Sequence, residues 1–241
     1  MLDEAKKLIG CSIHTVDGTA GRVDDFYFDD HLWTVRYLVA RVGDWLSGEK
    51  VLVPPASLQD VDRERDCVEV ALTRLQVEKE PSAEAAKPVS RRFELEYSWH
   101  FGMPLYWFER ERRAARRALR RGDPHLRSAR AITGYTIHAV DGEIGRIEDF
   151  LIDDADWVIR YLIVDAHRWL PGRRVLVSPE WIESISWHRR HAVTELDRRA
   201  IERAPAYPAE LPLARDYEVA LHEHYDREGY WARGASPTEH R

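Results

Sequence analysis

Polar and apolar positions alternate from Ser12 to Val16, and Asp17-Gly18 follows as a tight-turn signal. Gly21 to Asp29 reads as a second strand, with Val23 and Phe26 set among acidic residues and Asp29-Asp30 closing it. Trp33 to Val42 is the clearest strand, β-branched and aromatic along its length. Ser47-Gly48 marks the next turn, and Val51-Leu52-Val53 reads as a short buried strand ended by Pro54-Pro55, because proline cannot donate to a ladder. Leu58 to Val61 and Cys67 to Leu72 predict a further hairpin. Thr73 suits the N-cap of a short helix through Val77, stopped by Pro81. Short strands between Gly, Asp and Pro turns predict a small antiparallel barrel or sandwich.

The same pattern occurs twice. At an offset of 124 positions, Gly10 to Pro55 falls on Gly134 to Pro179 without a gap, with about half the positions identical. Ile13-His14, Val16-Asp17-Gly18, Gly21-Arg22 and Asp25-Phe26 recur as Ile137-His138, Val140-Asp141-Gly142, Gly145-Arg146 and Asp149-Phe150. Further on, Arg36-Tyr37-Leu38, Trp45-Leu46, Gly48 and Val51-Leu52-Val53 recur as Arg160-Tyr161-Leu162, Trp169-Leu170, Gly172 and Val175-Leu176-Val177. The offset still holds downstream, where Arg91, Glu94, His100, Tyr106 and Trp107 land on Arg215, Glu218, His224, Tyr230 and Trp231. Phe93, Tyr97 and His100 follow helical spacing, as do Tyr217, Leu221 and His224, so each repeat is expected to carry a short amphipathic helix and an extended aromatic end.

The run Gly-x-x-Ile-x-x-x-Asp-Gly-x-x-Gly-Arg, then Asp-Phe, an Arg-Tyr-Leu strand and Gly-x-x-Val-Leu-Val, resembles the PRC-barrel. That β-barrel occurs in the cytoplasmic part of the photosynthetic reaction-centre H subunit and in a ribosome-maturation factor. The resemblance covers roughly residues 8–80 and 130–205, and the two-barrel plan with aromatic tails is similar to tandem PRC-barrel proteins of environmental bacteria. It implies a mainly β fold of two tandem small antiparallel barrels, each followed by a short helical and aromatic tail. The expected divisions are a first barrel over 1–80, a linker with tail and arginine-rich helix over 81–129, a second barrel over 130–205 and a C-terminal tail over 206–241.

At 241 residues, with 44% hydrophobic and 32% charged positions, the chain suits a soluble protein of two modest domains. Its first residues lack the apolar core of a signal peptide, and no apolar run approaches bilayer-spanning length. Cys11 and Cys67 align with Tyr135 and His191, so a disulfide common to both repeats is excluded. Two thiols without metal spacing fit a reducing cytoplasm. The net charge of −6 argues against a general nucleic-acid coat. The charge is uneven, however: Glu109 to Arg121 holds seven arginines against two glutamates and is expected to be helical.

The candidate chemistry is weighed against structural roles. His14 and His138 suggest a metal or acid–base role but lack a second ligand at local spacing. The acidic pairs Asp24-Asp25 and Asp29-Asp30, with Glu148-Asp149 and Asp153-Asp154 in the second copy, suit calcium in type but not in spacing, and are expected to form a solvated face or to partner Arg22 and Arg146. Arg36 and Arg160 suit cross-sheet pairing. Trp33, Trp45, Trp157 and Trp169 are expected to pack a barrel mouth or form an interface. Tyr97, Trp99, Tyr106, Trp107, Tyr217, Tyr225, Tyr230 and Trp231 form tails too apolar to stay in solvent, expected to cover a barrel or dock a second chain. Arg112, Arg113, Arg116, Arg117, Arg120 and Arg121 are candidates for anion or nucleic-acid contact. Gly18, Gly21, Gly142 and Gly145 are structural turn positions. No phosphate loop, nucleophile elbow or Cys/His metal set is present, so catalytic, cofactor and metal residues are expected to be none. The expected function is therefore a non-enzymatic protein-binding scaffold, self-associating as a homodimer. The alternatives are an RNA- or ribosome-associated factor using the arginine helix, or an accessory of electron transfer.

Overall fold

The computed structural model describes residues 1–43, 48–79, 126–166, 172–208 and 212–232. In chain order the elements are β1 (Leu2–Glu4), α1 (Ala5–Leu8), β2 (Ser12–Thr15), β3 (Gly18–Asp29), β4 (Thr34–Val42), β5 (Glu49–Val53), β6 (Leu58–Asp62), β7 (Cys67–Val70) and α2 (Arg74–Glu78). After the interval 80–125 come β8 (Leu126–Ser128), α3 (Ala129–Ile132), β9 (Thr136–Ala139), β10 (Gly142–Asp153), β11 (Val158–Asp165), β12 (Arg174–Val177), β13 (Ile182–Ser186), β14 (His191–Thr194), α4 (Arg198–Arg203) and α5 (Arg215–His224). Among the described residues no helix is long and apolar enough to cross a membrane.

The chain divides into two compact units. The N-terminal unit holds Glu4–Thr133 and Ile152–Ile159, and the C-terminal unit holds Met1–Asp3, Gly134–Leu151 and Arg160–Arg241. In the N-terminal unit β2 and β3 form a hairpin from Ser12↔Arg22 to Thr15↔Gly18. Strand β3 then pairs with β4 from Gly21↔Val42 to Asp29↔Thr34, and β4 pairs with β5. The far half of β3 pairs with β8 at Tyr27↔Ser128 and Asp29↔Leu126. The core is apolar and β-branched: Ile13, Val23, Phe26, Phe28, Val35, Leu38, Leu52 and Val68 are each at most 2% exposed.

Two features differ from the sequence-based expectation of closed antiparallel barrels. First, β7 runs parallel to β2, pairing Ser12 with Cys67 and His14 with Glu69. The β6–β7 hairpin returns only after three intervening strands, which supplies the long crossover that parallel pairing needs. Second, the strand order β6-β7-β2-β3-β4-β5 is open, with no pairing among the described strands that joins β5 to β6. Trp33 also departs from its expected place at the head of a strand. Its φ of 54° is left-handed, and β4 begins one residue later.

Within the C-terminal unit the pairings of the first repeat recur 124 residues on. Thr136 faces Arg146 and Ile137 faces Gly145 in β9–β10, Leu162 faces Val177 in β11–β12, and β14 lies parallel to β9 with Thr136 opposite His191. Strand β1 pairs with β10. The turn aspartates act alike in both units. Asp17 Oδ1 accepts the Arg74 amide at 2.7 Å, and Asp141 Oδ1 accepts that of Arg198 at 2.8 Å, so each turn satisfies an open N–H of a following helix. The Arg74 amide, then the Thr15 hydroxyl, hold the Asp17 carboxyl below its ordinary range. Thr73 and Gln76 complete a capping box on α2.

Gly18 and Gly142 take φ of +147° and +143°, where a β-carbon is disfavoured. Gly21 and Gly145 are needed for a different reason, close backbone approach. A β-carbon on Gly21 would lie 2.2 Å from the Arg41 carbonyl oxygen, and one on Gly145 would lie 2.1 Å from that of Asp165. Strand β3 bends at Gly21, which pairs with Ile13 on one side and Val42 on the other. Gly21→Ala is expected to cost about 2 kcal/mol or more, since the clash is with backbone and cannot be relieved by a rotamer. Gly10→Ala, at φ +96° with open space around it, should cost only about 1 kcal/mol. Denaturant unfolding of the two variants checks the order; equal losses would show that β3 can shift away from β4.

Candidate protein-interaction site

The hairpin tips are built by aspartate turns. Asp29 Oδ1 accepts the His31 and Leu32 amides at 2.9 and 3.2 Å, while the Asp29 carbonyl accepts the Trp33 amide at 2.7 Å. The second tip repeats this, with Trp157 N–H donating to the Asp153 carbonyl at 2.7 Å and φ of 56° at Trp157. Tip Ile152–Ile159 belongs to the N-terminal unit. There the Val35 amide donates to the Trp157 carbonyl and the Ile159 amide to the Trp33 carbonyl, each at 2.8 Å, bracketing the pair Thr34↔Val158. Trp33 stacks on Phe28 at 5.3 Å and Trp157 on Phe26 at 6.2 Å. Left-handed backbone costs a tryptophan of order 1–3 kcal/mol; burial of both indoles, 8% and 7% exposed, offsets that cost.

The acidic residues beside these tips bind cations of the same unit. Asp24 lies 2.5 Å from Arg41 Nη2 and 2.7 Å from Lys50 Nζ, with Arg130 at 3.5 Å. Burial alone would raise its carboxyl pKa, but Lys50, Arg41 and Arg130 hold it below the ordinary value. Asp25 accepts from the Ser128 hydroxyl and from the Arg130 amide at 3.0 Å, and burial pushes its pKa up. Asp30 takes Arg127 Nε at 2.6 Å. Arg22, expected opposite the acidic pair, donates instead to the Gly10 carbonyl at 3.0 Å.

Beside the tip a groove of about 440 Å³ opens, lined by Ala56, Leu58, Asp60, Val61, Ala155 and Trp157 among others. One wall is β6, which among the described strands pairs only with β7. A sheet edge of this kind offers unpaired backbone donors and acceptors. Arg63 joins the two walls through an ion pair with Asp154. Of the tryptophans named from sequence, Trp157 lines this groove, Trp33 lies in the core, and Trp45 and Trp169 lie outside the described residues.

The C-terminal tail aromatics pack inside their own unit. Helix α5 buries Glu218, Leu221 and His222, one face at helical spacing. Tyr161 Oη lies 3.0 Å from both Glu218 Oε1 and His222 Nε2, and Tyr230 donates to Glu218 Oε1 at 3.0 Å. Arg215 reaches Glu218 Oε2 at 2.8 Å and lies 4.6 Å from the Trp231 ring centre. Arg160 lies over Tyr230 at 4.2 Å. Tyr161 has one proton, so donating it to Glu218 makes His222 Nε2–H the donor to Tyr161, and every bond in the network is then directed. Burial first, then the Glu218 charge, drive the Tyr161 pKa far up; burial likewise pushes Tyr230 to about 12. Tyr225 packs on Trp181 at 4.7 Å, and Tyr217 donates to the Pro205 carbonyl at 3.0 Å. Tyr97, Trp99, Tyr106, Trp107 and the arginines from Arg112 to Arg121 lie outside the described residues.

The edge groove was invisible to sequence spacing, because its walls come from residues near 58 and near 155. Sequence spacing likewise shows no metal set, yet the fold brings Asp62, Cys67 and Glu69 together with ligand atoms within 4.8 Å of one another.

Residues 2–77 match the family model of the PRC-barrel domain. No curated protein matches the chain. The PRC-barrel match therefore rests on β1 to α2, the stretch that includes β6 and the wall of the groove it supplies.

Asp24→Asn is expected to cost about 1–3 kcal/mol by leaving Arg41, Lys50 and Arg130 without their anion. The folded pKa of Asp24 is depressed, so its stabilisation is complete above about pH 3.8 and is lost as pH falls through the lower folded value. Melting temperatures between pH 5 and 2.5 should fall less steeply for the variant than for the parent chain. Parallel curves would show that the ion cluster adds nothing.

Proposed function

We propose that this chain is a non-enzymatic binding scaffold whose groove along β6 seats an extended segment of a protein partner. The observation that carries this reading is an open groove lined by Trp157 and by β6, whose second edge has no partner among the described strands. Backbone groups of an edge strand supply affinity to an added strand, and side-chain recesses beside it supply selectivity. A PRC-barrel is a protein-interaction module, which fits the same reading. The polar networks described above serve to hold elements in place, and a scaffold requires no more of them. Both cysteines are free and buried, in keeping with work in a reducing cytoplasm. The duplicated pairings suit a second binding surface or self-association through the second repeat. Binding of RNA through Arg112 to Arg121 rests on residues outside the described set and enters here as an outcome of the test.

Ala56 and Ala155 are exposed on opposite walls of the groove. Ala56→Arg with Ala155→Arg should fill it while changing stability by no more than about 0.5 kcal/mol. The expected result is that the parent chain retains a defined set of proteins from its native lysate after nuclease treatment, and that the double variant loses that set. Retention by the variant would remove the groove from the reading. Loss of the whole set on nuclease treatment would favour the RNA-binding alternative.

A further inference from the structure

We propose that Asp62, Cys67 and Glu69, at the β6–β7 edge, form a site for a borderline-soft divalent metal such as zinc, with His14 on the adjoining strand placed to turn in as a fourth ligand.

The geometry begins with register. Asp62 is the ladder partner of Cys67 in the antiparallel β6–β7 pair, and Cys67 and Glu69 share a face of β7 because they are two residues apart. His14 is the parallel partner of Glu69, and Ser12 that of Cys67. His14 therefore leaves the sheet on the same face, and its Nε2 lies 3.4 Å from Ser12 Oγ, beside the Cys67 position. The opposite face carries Ile13, Val68 and Val70, all within the core. The thiol thus lies on the outer, polar face of the sheet, yet Cys67 is only 1% exposed. Its ligand atom and those of Asp62 and Glu69 all fall within 4.8 Å of one another.

Two members of the group, Cys67 and Glu69, lack competing partners among the described residues. Cys11, the other thiol, donates to the Lys7 carbonyl at 3.2 Å. Among the described residues, Cys67 Sγ makes no hydrogen bond, and Glu69 has neither a hydrogen bond nor an ion pair. A buried thiol aimed at two carboxylates and satisfied by neither is the observation that points to a cation. Asp62 uses Oδ1 for the Glu64 and Arg65 amides, both at 3.0 Å, which fixes its carboxylate in place. Its Oδ2 is 3.6 Å from Arg65 Nε, a side chain 72% exposed that can swing into solvent. A divalent ion would displace the thiol proton, and its two positive charges would offset two of the three negative charges of two carboxylates and a thiolate.

Ligand chemistry selects the ion. Sulfur disfavours magnesium and calcium, whereas thiolate with imidazole and carboxylate suits zinc and its cobalt surrogate. Metal–ligand bonds of about 2.0–2.3 Å place tetrahedral ligands roughly 3.3–3.8 Å apart, so the three side chains need close by about 1 Å. The second repeat keeps ligand-type residues at two of these positions. His138 and His191 correspond to His14 and Cys67, with ring centres 5.3 Å apart, but Ser186 and Val193 replace the carboxylates. Among the described residues only the first repeat carries the converging three-residue set.

The test is a cobalt(II) titration of the full chain under a non-thiol reductant, following the thiolate-to-cobalt charge-transfer absorption. The parent chain and Cys11→Ser should both develop the band at one equivalent, and zinc should erase it. Cys67→Ser should abolish it. Glu69→Gln, Asp62→Asn and His14→Ala, all at partly exposed positions, should weaken binding at least tenfold while circular dichroism stays unchanged. Absence of the band in the parent chain, or its survival in Cys67→Ser, overturns the proposal. Unchanged affinity in both Glu69→Gln and Asp62→Asn overturns it equally, even if Cys67→Ser fails to fold.

Discussion

The constraint on which the first unit depends is the approach of the backbone of β4 to that of β3 at Gly21. Strand β3 is twelve residues long, and its two halves serve different neighbours: β2 near Gly18 and β8 near Asp29, with β4 along the other edge. A strand of that length must coil to serve all three. Irregular register at Ile13/His14 and between Val23 and Asp25 brackets the bend. The alternation of faces that follows puts Ile13 inside and His14 outside. Because β7 takes its register from β2, the same bend decides that Val68 lies on one face of the sheet and that Cys67 and Glu69 lie on the other. Gly145 makes the equivalent approach in the second unit, against Asp165.

Much of this was legible in the chain. The Asp-Gly turn, the Thr73 cap and the apolar face of α5 are local signals, and each depends on residues within one helical turn or one hairpin. What escaped was non-local or too short to show a period. Strands β1 and β8 have three residues each, fewer than an alternation needs. Parallel pairing of β2 with β7 leaves no trace in either segment, since both alternate as an antiparallel pair would. Trp33 read as a strand residue because aromatics favour strands. Its left-handed φ comes from Asp29, four residues earlier, whose turn must close before β4 can start. Ligand convergence at Cys67 follows from that same parallel register and so was equally hidden.

The fate of the acidic residues separates the roles of the two units. Asp24, Asp25 and Asp30 are buried or nearly so and take donors from Arg41, Lys50, Ser128, Arg130 and Arg127. Three of those donors lie on β8 and α3, so the acids hold a distant segment of chain onto β3. Glu218 does the corresponding work in the C-terminal unit, where Tyr161, Tyr230 and Arg215 converge on one carboxylate. In a buried setting each such acid is costly to leave incompletely bonded. The surrounding aromatic rings of Trp181, Tyr225 and Trp231 limit water around the network.

This distribution bears on function. A catalytic carboxylate or imidazole has to keep an open side toward a substrate, with its hydrogen bonds orienting it rather than enclosing it. Glu218 has its donors from within the unit, and its side chain is only 3% exposed. Nearer the surface of the N-terminal unit lie the backbone of β6 and, beside it, the carboxylates of Asp62 and Glu69. Both lie on the same hairpin, at the β6 end of the described strand order in this unit. A metal held there would tie β6 to β7 and β2 through side chains, on the strand whose free edge forms the groove. On the proposed reading, the hairpin whose edge would receive a partner is thus also the one whose rigidity an ion would set, which makes affinity at the groove a readout of occupancy at Cys67.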